Sequence, residues 1–338
     1  MDLRYLDMME MARTIVDYSL ELKPEEEVLM ITDARYAEGK GCAALQQAMM
    51  SVISSLENES SIIFVKPLEG ERKTFPPAVI EAMKKADVVV TMITEGITHN
   101  PASREAMAAG TRLLYFPCPN DMGPDDNIIF GMMPRSKKEI EEVGDLTQRF
   151  YELYRNAKEI RVTTKAGTDI TMGFGPMVTG ASMGKTKPGT ATYMPVGQVA
   201  GGVIPGTGDG VVVVDGGISP LGRKLREPIT FEFKDGRITK IYGSQEAEEY
   251  AELMKAVGDD GVYVLAEIGF GMNPKGTYFA GNPLGDERYF GSAHIGIGSN
   301  KLFGGDNWAD GWHQDAVFKD ATTYFDGVKV MEDGKFLI

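Results

Sequence analysis

Val28-Leu29-Met30-Ile31-Thr32-Asp33 is a short apolar run that ends at a carboxylate. Strands buried on both faces of a parallel sheet have this near-continuous apolar character, whereas half-exposed strands alternate apolar and polar residues. The run follows residues 6–22, where apolar side chains recur at helical spacing until Lys23-Pro24. That spacing predicts an amphipathic helix, and the proline predicts its end. We therefore expect a helix followed by a buried parallel strand.

The alternation of helix and strand continues outward from this run to about residue 157. Further strands are predicted at residues 61–65, 87–93 and 111–116, and further helices at residues 38–56, 77–86, 100–109 and 136–157. Such alternation builds a doubly wound parallel sheet with helices on its faces. No G-x-G-x-x-G pattern follows the first strand, so a dinucleotide site is not indicated. We expect an α/β domain over residues 1–157.

The pattern changes to β structure near residue 158. The turn Lys234-Asp235-Gly236-Arg237 joins two β-like runs, residues 229–233 and 238–242, which predicts a hairpin. Residues 245–257 are the one stretch here with helical periodicity. We therefore predict a β-rich α+β domain over residues 158–338, and we expect it to carry the metal site.

Composition excludes several classes of partner. The chain has 338 residues, with 35 Lys+Arg against 49 Asp+Glu and a net charge of −14. Nucleic acids and anionic membranes attract basic surfaces, so neither is an expected partner. No apolar run approaches the ~18–20 residues that span a bilayer, and no signal peptide is visible. Two cysteines, Cys42 and Cys118, are too few for a disulfide framework, so we expect a cytoplasmic protein.

Histidine chemistry must draw on three residues, His99, His294 and His313. His313 and Asp315 are two positions apart, so on a strand both would point to one face and could grip one cation. His294 lies among small residues that let a ligand approach closely. Two histidines and a carboxylate form the facial triad of non-haem iron(II) oxygenases, although zinc or manganese can use the same ligands. The pattern therefore predicts a metal site without choosing the metal.

Glu267 and His99 are further candidates for metal binding or acid–base catalysis. Glu267 is a lone carboxylate in an apolar run, and burying a carboxylate is costly unless it is paired or binds a metal. His99 follows the strand predicted at residues 87–93, and open α/β sheets bind ligands beyond the carboxyl ends of their strands. A structural interpretation stays open as well, because a loop histidine or a His-x-Asp pair can simply be hydrogen-bonded within the fold.

Five stretches resemble the motifs of one metalloenzyme superfamily. They are THNPASREA at 98–106, VTTKAGTD at 162–169, EIGFGMNP at 267–274, AHIGIG at 293–298 and HQD at 313–315. In this order they are similar to the signatures of the aminopeptidase T/S-like (leucyl aminopeptidase-like) metalloenzymes. That superfamily also contains a 2,5-dihydroxypyridine 5,6-dioxygenase-like branch. Since the motifs are spread along the chain, we expect the resemblance to cover all of it.

The resemblance implies a set of metal ligands. The aminopeptidases bind two metals through two glutamates, two histidines and an aspartate, and four of these positions match Glu267, His294, His313 and Asp315. The remaining glutamate position is occupied by Gln198. A neutral amide removes a negative charge that two cations need, so the remaining pattern favours a single metal.

The dioxygenase branch implies a different use of the same positions. It resembles a single-iron site held by two histidines and an aspartate, with an N-terminal-domain histidine as the acid–base group. His99 matches that acid–base histidine, and His313 and Asp315 match two of the ligands. Either Glu267 or His294 could occupy the position of the upstream histidine ligand.

Three functions therefore remain open. The first is an Fe(II) ring-opening dioxygenase acting on a small hydroxylated N-heteroaromatic such as a dihydroxypyridine. In it His294, His313 and Asp315 would hold the metal, Glu267 would be a fourth ligand or support it, and His99 would move the substrate proton. The second is a metallo-aminopeptidase that uses zinc, cobalt or manganese to activate water, with Glu267 as a bridging ligand or a base. The third is a metal-stabilised binding protein without turnover. The resemblance also implies a homo-oligomer, a dimer or larger.

Overall fold

The computed structural model describes residues 3–36, 42–68, 74–94, 100–116, 127–276 and 283–338. The chain forms two compact units. One comprises Met1–Gly144 with Ser182–Val196, and the other comprises Asp145–Ala181 with Gly197–Ile338. Within the described ranges, no helix is both long enough and apolar enough to cross a membrane.

A parallel sheet lies at the centre of the first unit. Its described strands are β1 (Val28–Asp33), β2 (Ser60–Val65), β3 (Val88–Met92), β4 (Arg112–Tyr115) and β7 (Ala191–Tyr193), in the spatial order β2-β1-β3-β4-β7. Every residue of β1 is buried, and β1 pairs in parallel with β2 and β3. The α/β class and the buried strand predicted from VLMITD are thus confirmed.

Helices flank these strands along the chain. They are α1 (Leu3–Ile15), α2 (Cys42–Ser54), α3 (Pro77–Lys85), α4 (Pro101–Ala108), α5 (Asn127–Met132) and α6 (Lys137–Tyr154). The helix predicted over residues 6–22 changes after α1 into a π-helical turn, Val16–Leu20, and ends at Glu21, which has a left-handed backbone. Asn100 caps α4, because its side-chain oxygen accepts a hydrogen bond from the Ala102 backbone N–H at 3.0 Å. His99 and Cys118 lie outside the described residues.

The second unit is built around a large sheet that is mostly antiparallel. Its described strands are β5 (Glu159–Thr163), β6 (Asp169–Ser182), β8 (Gln198–Val203), β9 (Asp209–Val214), β10 (Ile229–Lys234), β11 (Arg237–Tyr242), β12 (Leu265–Gly271), β13 (Ala293–Gly298), β14 (His313–Phe318), β15 (Thr322–Phe325), β16 (Val328–Glu332) and β17 (Lys335–Phe336). The main path is β14-β13-β12-β8-β6-β5-β15-β16-β17, and β9 links β6 to the β10–β11 hairpin. The described α-helical segments of this unit are the second half of α6, from Asp145 onward, together with α7 (Gln245–Val257) and the single turn α8 (Pro283–Asp286). The predicted hairpin and the β-rich class are confirmed.

β7 and its flanking residues follow the β5–β6 hairpin in sequence but belong to the first unit. The reason is that β7 pairs in parallel with β4. The predicted boundary between an α/β domain at residues 1–157 and a β-rich domain at residues 158–338 remains a prediction.

An aromatic core fixes the strand that carries Glu267. Phe270 of β12 contacts Phe150 of α6 and Phe325 of β15, with ring centroids 5.3 and 6.1 Å away. The Tyr154 hydroxyl donates a buried hydrogen bond of 2.6 Å to the Ile268 carbonyl. Because side chains alternate along a strand, Ile268 and Phe270 face this core while Glu267 faces the other side of the sheet.

Candidate metal centre

Three neighbouring strands bring four predicted metal ligands to one face of the large sheet. Glu267 of β12 and Asp315 of β14 both pair with Gly296 of β13, one on either side. His294 is two residues from Gly296, and His313 is two residues from Asp315. Directly paired residues and alternate residues along a strand share a face, so the four side chains project together.

Two glycines let these side chains lie across the sheet. A β-carbon added to Gly269 would overlap Cε1 and Nε2 of the His294 imidazole. A β-carbon on Gly296 would lie 2.7 Å from Cβ of Glu267 and 2.8 Å from Cε1 of His313. Any other residue at either glycine would therefore displace a candidate ligand.

The four side chains form a compact group of nitrogen and oxygen donors. His313 Nε2 lies 2.9 Å from Glu267 Oε2 and 3.6 Å from Asp315 Oδ1. His294 Nε2 lies 3.4 Å from Glu267 Oε1. One ligand atom each from Glu267, His294 and Asp315 lies within 4.8 Å of the other two. Imidazole and carboxylate donors at these separations suit a transition-metal dication.

Unpaired buried atoms in this group point to a cation. Both ring nitrogens of His294 and Oδ1 of Asp315 are buried and have no hydrogen-bond partner within the described ranges. Such atoms are rarely left unpaired in a folded protein. His313 Nδ1 lies 2.7 Å from the Ser299 carbonyl oxygen, which can only accept a hydrogen bond. Nδ1 therefore carries a proton, and in the neutral ring the Nε2 lone pair faces the carboxylates.

The carboxylates and imidazoles of this group shift one another's pKa values. Burial raises the pKa of the Glu267 carboxyl, but its contacts with His294 and His313 outweigh burial and lower the pKa below its usual value. Burial lowers the pKa of His313, but Asp315 and Glu267 more than offset this and raise it well above its usual value. The metal-free group thus favours ionised carboxylates beside protonated imidazoles. A dication would take the place of those protons, which is how histidine and carboxylate sites commonly bind metals.

The group is more open at one end. The exposed fraction of the side chain rises from 1% at His294 to 23% at Asp315. The ring of Phe303, a buried residue, lies 6.1 Å from the His313 ring. Asp315 is therefore the most exposed of the four candidate ligands.

Sequence reasoning missed one ionisable residue beside this group, Glu287. Its side chain is 11% exposed, and Gln198 Nε2 donates a hydrogen bond of 2.8 Å to its Oε2. Burial, followed by the charge of Asp315, raises the pKa of the Glu287 carboxyl to about 8. Glu287 lies in the run Asp286-Glu287-Arg288, and such charged runs are typical of solvent-exposed surface. The sequence therefore held no signal for it.

The structure brings Glu267, His294, His313 and Asp315 together, and their role as ligands stays a prediction. The acid–base role of His99 also stays a prediction, because this residue lies outside the described ranges.

Comparison with known proteins assigns the family. The family model of 2,5-dihydroxypyridine 5,6-dioxygenase matches residues 20–338. The chain belongs to this family. A relative in the 2,5-dihydroxypyridine 5,6-dioxygenase family, the enzyme of that name from Pseudomonas putida, is 27% identical over 269 residues. That alignment spans 76% of this chain and 73% of the relative.

Solved structures support the same fold. The 2,5-dihydroxypyridine dioxygenase from Pseudomonas putida KT2440 superposes with a TM-score of 0.82 at 21% identity, over 98% of this chain and 97% of that one. AmpT from Thermus thermophilus superposes with a TM-score of 0.66 at 14% identity, over 98% and 99% of the two chains. Similarity at these identities shows a shared fold. The predicted resemblance to the dioxygenase branch is confirmed by the family model, and the family makes the chain a dioxygenase.

Proposed function

We propose that this member of the dihydroxypyridine dioxygenase family is a metal-dependent enzyme that opens the ring of a small hydroxylated N-heteroaromatic. The first candidate substrate is 2,5-dihydroxypyridine, the compound named in the family. The observation that carries the proposal is the buried group of imidazoles and carboxylates with unpaired ligand atoms. In a dioxygenase such a group is most simply explained as a metal site.

We assign His294, His313, Asp315 and Glu267 as the residues that would hold the metal, with iron(II) as the first candidate. A closed-shell aromatic ring reacts slowly with molecular oxygen, which has two unpaired electrons. Iron(II), when bound, would supply the one-electron chemistry that allows the two to react. The hydrogen bond to the Ser299 carbonyl keeps His313 in the tautomer whose Nε2 lone pair can bind a cation. Both oxygen atoms of O2 enter the product of a ring-opening dioxygenase, so no external reductant is needed.

His99 is the proposed acid–base residue. A ring hydroxyl must lose its proton before the ring becomes electron-rich enough to react with oxygen, and an imidazole accepts protons near neutral pH. In sequence it stands between β3, which ends at Met92, and α4, which begins at Pro101.

Metal content and oxygen uptake test the proposal together. We would purify the protein without oxygen and measure bound metals by plasma mass spectrometry in wild type, His313→Ala and Gln314→Ala. Gln314 pairs with Ile297 and lies on the opposite face of β14, so it is the matched control. We expect about one iron per chain in wild type and the control, and a loss in His313→Ala. Oxygen uptake with 2,5-dihydroxypyridine should follow the iron content.

Other outcomes would contradict the proposal. About two zinc, cobalt or manganese ions per chain, with release of N-terminal residues from peptides, would indicate an aminopeptidase despite Gln198. Bound metal with no oxygen uptake and no product would indicate a binding protein.

We also propose that the enzyme is cytoplasmic and forms a homo-oligomer, a dimer or larger. The chain has two cysteines, too few for a disulfide framework, which supports a reducing compartment. Light scattering during gel filtration tests the oligomer, and a single monomer mass at micromolar concentration would contradict it.

A further inference from the structure

A hydrogen-bonded pair, Gln198 and Glu287, lies beside the candidate metal centre and has no part in the function assigned so far. Gln198 Nε2 donates to Glu287 Oε2 at 2.8 Å. The Glu287 side chain is almost fully buried, whereas Gln198 is only partly buried. The amide of Gln198 is thus the more accessible member of the pair, and its hydrogen bond to the buried Glu287 carboxyl fixes its orientation.

The sheet places Gln198 on the same face as the candidate ligands. Gln198 pairs with Gly271 of β12, two residues from Gly269, over which the His294 ring lies. Alternate residues along β12 share a face, so Gln198 projects beside His294. Gly271 also lets the chain of Glu287 approach the sheet, since a β-carbon there would lie 2.5 Å from the Glu287 carbonyl oxygen.

Electrostatics place the Glu287 carboxyl close to the metal centre. Its pKa is raised by burial, then by the charge of Asp315, and it also responds to His294 and Glu267. Arg288, whose Nη1 lies 3.6 Å from Glu287 Oε2, lowers the pKa in turn, and the balance in the metal-free protein is a pKa of about 8.

We propose that Glu287 is a positioning residue that holds the Gln198 amide toward the metal centre, where Gln198 binds a polar ring substituent of the substrate. The inference rests on the proposed function and adds a specificity contact to it. One amide N–H of Gln198 is used by Glu287, which leaves the second N–H and the carbonyl oxygen for a ring hydroxyl or ring nitrogen. Sites that hydrogen-bond a substrate group discriminate strongly against analogues that lack it.

Binding of 2,5-dihydroxypyridine to the metal-loaded protein, measured by calorimetry without oxygen, tests this assignment. The variants are Gln198→Ala, Glu287→Leu, Glu287→Gln and the double variant Gln198→Ala/Glu287→Leu. We expect Gln198→Ala and Glu287→Leu each to weaken binding about tenfold, the usual effect of losing one buried hydrogen bond. Glu287→Gln should stay within about twofold of wild type, because its amide oxygen can accept the same hydrogen bond. In the Gln198→Ala background, Glu287→Leu should have no further effect, since residues that act through each other are not additive.

Metal content and turnover separate this proposal from others. Metal content should equal that of wild type in every variant, and a loss in Glu287→Leu would overturn the positioning role in favour of one at the metal. Loss of turnover in Glu287→Gln with unchanged affinity would also overturn it, because that result requires a proton on Glu287. Unchanged affinity in Gln198→Ala overturns the substrate contact, and this partly exposed position gives the test even if Glu287→Leu does not fold. Wild type that binds 2,5-dihydroxypyridine but consumes no oxygen would overturn the proposed function and leave the binding comparison intact.

Discussion

Gly269 shows how the absence of a side chain builds the candidate metal centre. The His294 ring occupies the space that a β-carbon on Gly269 would need. His294 is fully buried, so the ring has little room to move aside. The residue paired with His294 on the neighbouring strand therefore helps to set the position of this candidate ligand.

Gly269→Ala should lower metal affinity about 5- to 150-fold, because the added methyl group must displace His294. Overpacking of this kind costs about 1–3 kcal/mol. Gly180→Ala on β6 is the matched control, since a β-carbon there has nothing within 4 Å. Titration of the apoprotein with metal measures the affinities. If Gly269→Ala binds metal as tightly as wild type, His294 is not a ligand.

Glu287 should make the stability of the metal-free protein depend on pH. Its folded-state pKa of about 8 lies above the ordinary value of 4.5, so the folded protein holds a proton that the unfolded chain releases. Stability from this group is complete below about pH 4.5 and is lost as the pH rises through about 8. Relative to Glu287→Gln, wild type should therefore lose stability between pH 5 and pH 8, on the order of 2–4 kcal/mol. Urea unfolding of both proteins at pH 5 and pH 8 measures this loss. If the stability of wild type relative to Glu287→Gln is the same at both pH values, or rises with pH, the raised pKa of Glu287 is wrong.

At the scale of elements, β12 has two faces with different tasks. Glu267 and Gly269 face the metal centre, whereas Ile268 and Phe270 face the core formed with α6. The hydrogen bond from the Tyr154 hydroxyl to the Ile268 carbonyl joins α6 to this strand. The helix therefore supports the strand without touching the ligands.

Tyr154→Phe should lower the free energy of unfolding by about 1–2 kcal/mol and leave metal content unchanged. The variant removes a buried hydrogen bond while keeping the ring. Tyr151→Phe is the control, because its hydroxyl bonds to Thr179 in a part-buried position and its loss should cost less. Urea unfolding measures both. A loss of metal in Tyr154→Phe would show that α6 also sets the geometry of the ligands.

At the scale of the whole molecule, the candidate ligands come from three strands, so a bound cation would tie β12, β13 and β14 together. A ligand that binds only the folded state stabilises it, by about 2.7 kcal/mol at a hundredfold excess over its Kd. Iron(II) added without oxygen should therefore raise the melting temperature of wild type and not that of His313→Ala. The increase should shrink as the pH falls, because protons compete with the metal for imidazoles whose pKa values are raised. Calorimetry checks this, and an equal increase in both proteins would mean that the metal binds elsewhere.

The sequence alone determined the features that lie within short windows. The apolar run of β1, the β10–β11 hairpin and the shared face of His313 and Asp315 follow from side-chain periodicity and turn chemistry, which neighbouring residues encode. The order of the motifs also pointed to the family.

Only the tertiary structure decided the features that join distant parts of the chain. It paired β7 with β4, laid the His294 ring over Gly269, and joined Gln198 to Glu287 across 89 positions. The physical reason is that strand pairing and burial depend on contacts between segments far apart in sequence. The residues around Glu287 are typical of exposed surface in sequence, whereas the fold buries the carboxyl, and burial followed by the charge of Asp315 raises its pKa.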